Sequence, residues 1–139
     1  MKEKTLRYIF YVLVLIGFAD SMYLSMTVLL GIAPACGILH GCETVAASPY
    51  SRLLGIPLAY IGTAFYAVGA VLAGYLLESA LSRKLALAYS VAGALMSAWF
   101  VYIQAEIIGA FCIYCVISAV VTFGLLAISI PLSRKEVTK

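Results

Sequence analysis

Charge is what this sequence has least of. Nine Lys and Arg and six Asp and Glu make up 11% of its residues, against about 25% in an ordinary soluble domain. That leaves too little polar surface to cover a globule in water, and with 65% hydrophobic residues and a mean hydropathy of +1.10 the fitting solvent is lipid. Also missing is any G-x-G-x-x-G fingerprint following a strand, so no flavin or nicotinamide site is encoded. No internal repeat and no low-complexity tract appears. The net charge of +3 is small and does not point to nucleic acid; what carries information is where the basic residues lie.

Apolar runs fill most of the chain. Four reach the length of about 20 residues needed to cross a hydrocarbon core: TM1 over 8–31, TM2 over 57–77, TM3 over 85–108 and TM4 over 111–132. They lack the period-2 alternation of barrel strands, and in lipid the backbone must be satisfied within each segment, so helices follow. The expected fold is an all-α integral membrane protein, a single domain over 1–139 forming an up-down-up-down bundle of four transmembrane helices. TM1 follows Lys2, Lys4 and Arg7 as a signal peptide would, but its length and the lack of a convincing small-residue cleavage site predict that it is retained. Glycines and alanines such as Gly62, Gly69, Gly74, Gly93, Ala94 and Ala98 are expected to let neighbouring helices approach closely.

Basic residues flank the spans unevenly. Lys2, Lys4 and Arg7 precede TM1, Arg83 and Lys84 separate TM2 from TM3, and Arg134, Lys135 and Lys139 follow TM4, while Arg52 alone falls elsewhere. The positive-inside rule then places both termini in the cytoplasm, and the TM1–TM2 and TM3–TM4 connections outside a cell membrane. All four cysteines face that outer side.

The cysteines form two pairs. Cys112-Ile113-Tyr114-Cys115 is a C-x-x-C at the outer end of TM4, where residues three apart share a helix face and the helix N-terminus favours a thiolate. Cys36 and Cys42 lie in the long outer loop, 32–56, with Gly37 and Gly41 between them, a spacing flexible enough to close a disulfide and to swing. Two redox pairs on one face make a relay. A partner's thiolate attacks the loop disulfide, a loop cysteine attacks the C-x-x-C disulfide, and the embedded pair discharges two electrons to a lipid-soluble acceptor, for which a quinone is the obvious candidate. A zinc or iron–sulfur site fits the unequal spacings poorly. The competing reading is a non-enzymatic membrane scaffold or small transporter stapled by structural disulfides.

Several polar and apolar residues surround these pairs. Ser51, just before TM2, has a hydroxyl able to hydrogen-bond a quinone carbonyl, and otherwise serves as a helix cap. Leu54, Leu58, Ile108, Phe111 and Ala119 are expected to wall the quinone pocket, although packing alone also accounts for them. Asp20, deep in TM1 beside Ser21, Tyr23 and Ser25, fits a structural polar network better than a proton relay. His40, between the loop cysteines, is expected to be solvated rather than catalytic. Residues 50–54 are expected to form a short interfacial turn before Pro57, which suits a first helical turn.

Taken together, Asp20 through Ser25, the loop pair Cys36 and Cys42, Ser51, Gly55 through Leu58, and Phe111-Cys112-Ile113-Tyr114-Cys115 resemble the vitamin K epoxide reductase family. The likeness spans nearly the whole chain and is nearer to the bacterial and archaeal homologues than to the vertebrate enzyme. It implies a four-helix bundle around a quinone, with a thioredoxin-like periplasmic or extracellular oxidase as electron donor. It further implies that Cys36 takes electrons from the partner, Cys42 forms a transient disulfide with Cys112, Cys115 acts on the quinone, and Ser51 lies near it. The chain carries no thioredoxin-like domain of the kind fused to some bacterial relatives, which implies a separate partner. Ala119 stands where the vertebrate enzyme has a quinone-contacting tyrosine, so a plain quinone such as menaquinone or ubiquinone fits better than an epoxide.

Overall fold

The computed structural model describes residues 3–35, 41–76 and 79–134. Helix α1 spans Glu3–Leu30, and the short helix α2 spans Cys42–Ala47. A 3-10 turn over Pro49–Ser51 leads into a two-residue antiparallel ladder, β1 (Arg52–Leu53) with β2 (Ile56–Pro57), pairing Leu53 with Ile56. Helix α3 covers Leu58–Val71 and continues through a π-helical turn, Leu72–Leu76. Helix α4 covers Ala80–Tyr102 and runs on through a second π-helical turn, Ile103–Ile108, and α5 covers Ile113–Arg134.

Local chemistry sets the ends of these helices. Pro57, whose missing N–H costs nothing there, precedes the first turn of α3. Helix α4 starts at Ala80 rather than 85 because Ser79 and Ser82 cap each other: Ser82 N–H donates to Ser79 Oγ at 3.2 Å, and Ser79 N–H to Ser82 Oγ at 3.1 Å. At the other end Gly109 takes the left-handed conformation, φ +73°, and donates its N–H to the Gln104 carbonyl at 2.9 Å, closing the second π turn.

Among the described residues three helices are long and apolar enough to cross a membrane, Lys4–Leu30, Leu81–Ile108 and Ile113–Arg134, and they make this an all-α membrane protein. The helix in the place of TM2, Leu58–Gly74, is apolar but shorter. Within the region 32–56, the turn expected over 50–54 is formed by Pro49–Ser51 and the start of the ladder, and the helix α2 before it was not expected.

Helix α1 packs against α3 and α5, and α4 packs against α5. Phe10, Val14, Tyr66, Leu125 and Leu132 are fully or almost fully enclosed at the centre. Tyr66 enters because Gly17 makes room: a Cβ there would collide with the Tyr66 ring. Hydroxyls join the helices where lipid offers no hydrophobic drive. Tyr66 bonds Ser118 at 2.7 Å, Ser90 bonds Ser129 at 2.9 Å, and Thr122 donates to Ser97 at 2.7 Å.

Candidate active site

Cys112 occupies the turn directly before α5, and its carbonyl accepts the first helical N–H, from Val116, at 3.0 Å. Cys115 follows one turn later, and the two side chains hydrogen-bond to each other. Both are free thiols, and Cys112 is only 3% exposed. Just outside the span, Cys112 is drawn down to about 7 by the Cys115 hydrogen bond and by the backbone N–H groups of Cys115 and Tyr114, against the opposing effect of burial. A thiolate at a helix N-terminus is the expected consequence of those unpaired N–H groups.

The backbone of Cys112 is held from a neighbouring helix. Its N–H donates to Gln104 Oε1 at 2.9 Å, and Gln104 is 2% exposed within the second π turn. A buried amide oxygen needs a donor and a buried N–H needs an acceptor, so this bond satisfies both and fixes the height of α5 against α4. Gln104 sits in the π turn Ile103–Ile108, which Gly109 closes just before the start of α5.

Cys42 is disulfide-bonded and completely buried at the first residue of α2. The sequence favoured a cysteine on a swinging loop; the described part instead seats Cys42 in a helical turn pressed against the bundle. Gly41 makes this possible, because a Cβ there would lie 2.7 Å from the Phe111 nitrogen and closer still to its carbonyl oxygen. Cys36 and His40 lie outside the described residues.

A second contact holds the chain on the other side of that segment. Ala35 donates its N–H to the Tyr23 hydroxyl at 3.0 Å, and its carbonyl accepts from the Tyr114 hydroxyl. The two rings stand 5.0 Å apart, tilted by 40°.

A cavity of about 750 Å³ opens beneath these elements, lined mainly by apolar side chains. Cys42, Cys112 and Cys115 all reach it, together with Asp20, Ser118 and Tyr66. Of the residues expected to contact a quinone, Ser51, Leu58 and Ile108 line this cavity. The Ser51 hydroxyl donates its one proton to the Ser48 carbonyl at 2.8 Å, so bonding a quinone carbonyl requires it to turn away from Ser48. Leu54, Phe111 and Ala119 are placed elsewhere. Leu54 is 96% exposed at the tip of the β1–β2 turn, Phe111 gives its backbone to Gly41, and Ala119 is packed inside the bundle.

Asp20 departs from the expected polar network. Ser21 donates to Phe18, Ser25 pairs with Thr63 and Tyr23 binds Ala35, so each proposed partner is engaged elsewhere while the carboxyl lines the cavity. Gln104 and Tyr114 were not singled out for roles by the sequence, and Tyr23 was expected only in the network around Asp20. A signal existed for Gln104, the only carboxamide in the chain and one set in an apolar span. Tyrosines are too numerous, ten in all, for any one to stand out.

The sequence matches the vitamin K epoxide reductase family over residues 8–130. Among curated proteins it is similar to the thiol-disulfide oxidoreductase LTO1 of Arabidopsis thaliana, with 33% identity over 121 residues, covering 80% of this chain and 32% of that protein. The chain therefore spans about a third of the length of that relative.

Proposed function

The chain belongs to the vitamin K epoxide reductase family, and from that premise we propose that it is a quinone-dependent thiol oxidase that generates disulfides. The observation that carries this reading is the hydrogen-bonded thiol pair Cys112 and Cys115 opening on an apolar cavity that the disulfide-bonded Cys42 also reaches. A scaffold stapled by disulfides has no use for a lowered thiol beside a cavity, which favours the enzyme.

The cavity fits a quinone head group in size and character, being within the range of small-molecule sites and apolar with few polar groups. Ser51, Leu58 and Ile108 are the residues that would hold it. A bound quinone supplies a sink for two electrons and two protons. On the protein's side, Cys36 and Cys42 form the outer disulfide, which a thioredoxin-like donor reduces while becoming oxidised itself. Cys42 then attacks the Cys112–Cys115 disulfide at Cys112, forming a Cys42–Cys112 bond and freeing Cys115. Cys36 resolves that bond, the outer disulfide returns, and Cys112 and Cys115 are left as the dithiol. Their reoxidation releases two electrons and two protons into the cavity, so one donor dithiol becomes one disulfide per cycle.

In this reading the four helices α1, α3, α4 and α5 all cross a cell membrane, with both termini cytoplasmic and the cysteines outside. The basic residues beyond the cytoplasmic ends and the alternating course of the helices support it.

Reduced thioredoxin-like donor and a soluble quinone, mixed with the purified protein, test the activity by quinone absorbance. Quinone loss is expected with the native protein and is abolished in Cys115→Ala, whereas Cys42→Ala leaves electrons on the donor. Full activity in Cys115→Ala overturns the assigned roles. An impermeant maleimide tests orientation, with labelling in intact cells expected and labelling confined to permeabilised cells contradicting it.

A further inference from the structure

The residue directly before Cys36 is gripped by two side chains from different helices. Ala35 is exposed, in a stretch without regular secondary structure whose backbone water would otherwise solvate. Both of its polar groups are instead taken by tyrosines, the N–H by Tyr23 of α1 at 3.0 Å and the carbonyl by Tyr114 of α5. Their rings pack at 5.0 Å, so each orients the other. Tyr114 is also the third residue of the C-x-x-C. The far side of the segment is fixed at the same place, where Gly41 rests on the Phe111 backbone next to Cys112. Ala35 and Gly41 are therefore both held against the chain at the start of α5, through Tyr114 and the Phe111 backbone.

We propose that Tyr23 and Tyr114 are positioning residues whose grip on Ala35 aligns Cys42 with Cys112 for disulfide transfer. This rests on the relay described above and adds what keeps its two halves aligned. Transfer requires the attacking sulfur to approach along the axis of the bond it breaks, an alignment more frequent when the neighbouring backbone is already anchored. Releasing Ala35 removes no cysteine and lowers the fraction of time Cys42 and Cys112 are aligned.

The test uses full-length protein carrying Cys115→Ala. In that background the Cys112 thiolate attacks Cys42, forming a Cys112–Cys42 bond as the outer disulfide breaks and leaving Cys36 as a thiolate, with no external oxidant. Acid quenching and thiol alkylation measure how much accumulates. Adding Tyr23→Phe or Tyr114→Phe, each of which removes one hydroxyl and keeps the ring, is expected to reduce its rate of formation about fivefold, the weight of one such hydrogen bond. The two together are expected to exceed the larger single effect only slightly, because they grip one residue. Unchanged rates in both variants overturn the clamp. A parent that forms no mixed disulfide overturns the relay, and the clamp with it. Amide hydrogen exchange at Ala35 in unsubstituted protein reads the grip without any variant: slow exchange is expected, and exchange as fast as an open chain overturns it.

Discussion

Gly41 and Phe111 lie backbone against backbone, with so little space between them that even a methyl group on Gly41 would fall within 2.7 Å of the Phe111 nitrogen. The next residue on each side is a cysteine, Cys42 on one strand of chain and Cys112 on the other. This one close approach brings the disulfide-bonded Cys42 and the thiol pair Cys112 and Cys115 to the same cavity.

Gly41→Ala is accordingly expected to push α2 away from α5. Overpacking of this kind costs about 1–3 kcal/mol, read as a lower melting temperature in detergent. Donor-driven quinone reduction should fall by about tenfold or more, since a displacement near 1 Å at reacting atoms carries penalties up to roughly a hundredfold. Wild-type rates in this variant would separate the packing from the transfer.

Gln104→Ala removes the acceptor of the Cys112 N–H and leaves that buried donor unsatisfied. The expected loss is about 1–3 kcal/mol of stability, measured by thermal unfolding. The same change frees the turn before α5, so alkylation of Cys112 by iodoacetamide is expected to speed up as its 3% exposure rises.

The Cys112 thiol is drawn down to about 7, first by the Cys115 hydrogen bond. It is protonated and unreactive below that pH and a thiolate above it, so iodoacetamide alkylation should rise with a midpoint near pH 7. Cys115→Ala removes the leading cause and is expected to move the midpoint upward. A midpoint that stays in place would assign the effect to the helix N–H groups alone.

Asp20→Asn tests the carboxyl that faces the cavity while Ser21, Ser25 and Tyr23 bond elsewhere. No hydrogen bond from those three is lost, and a costly ionisable group in a span is removed. The melting temperature is expected to hold or rise. The pH profile of quinone reduction is expected to change shape; an unaltered profile would make Asp20 a packing residue.

Much of this was legible in the chain. The apolar runs that became α1, α4 and α5 needed no tertiary knowledge, because lipid forces each segment to satisfy its own backbone. The C-x-x-C at the start of α5 followed from helical spacing, which sets Cys112 and Cys115 one turn apart wherever the helix packs. Ends were less legible: Ser79 moved the start of α4, and the π turns Leu72–Leu76 and Ile103–Ile108 leave no mark in hydropathy.

What the sequence by itself determined is the solvent, the helices and the identity of the thiols, since composition and short-range spacing are local properties. Only the tertiary structure decided which groups meet. Cys42 is buried in a helical turn rather than swinging in a loop because Gly41 lets two backbones touch. Leu54 points away from the cavity while Leu58 lines it because the β1–β2 turn reverses the chain between them. Gln104 reaches Cys112, and Tyr114 reaches Ala35, 79 positions away. Contacts across such separations are set by how whole helices pack, and no residue's own chemistry reveals them in advance.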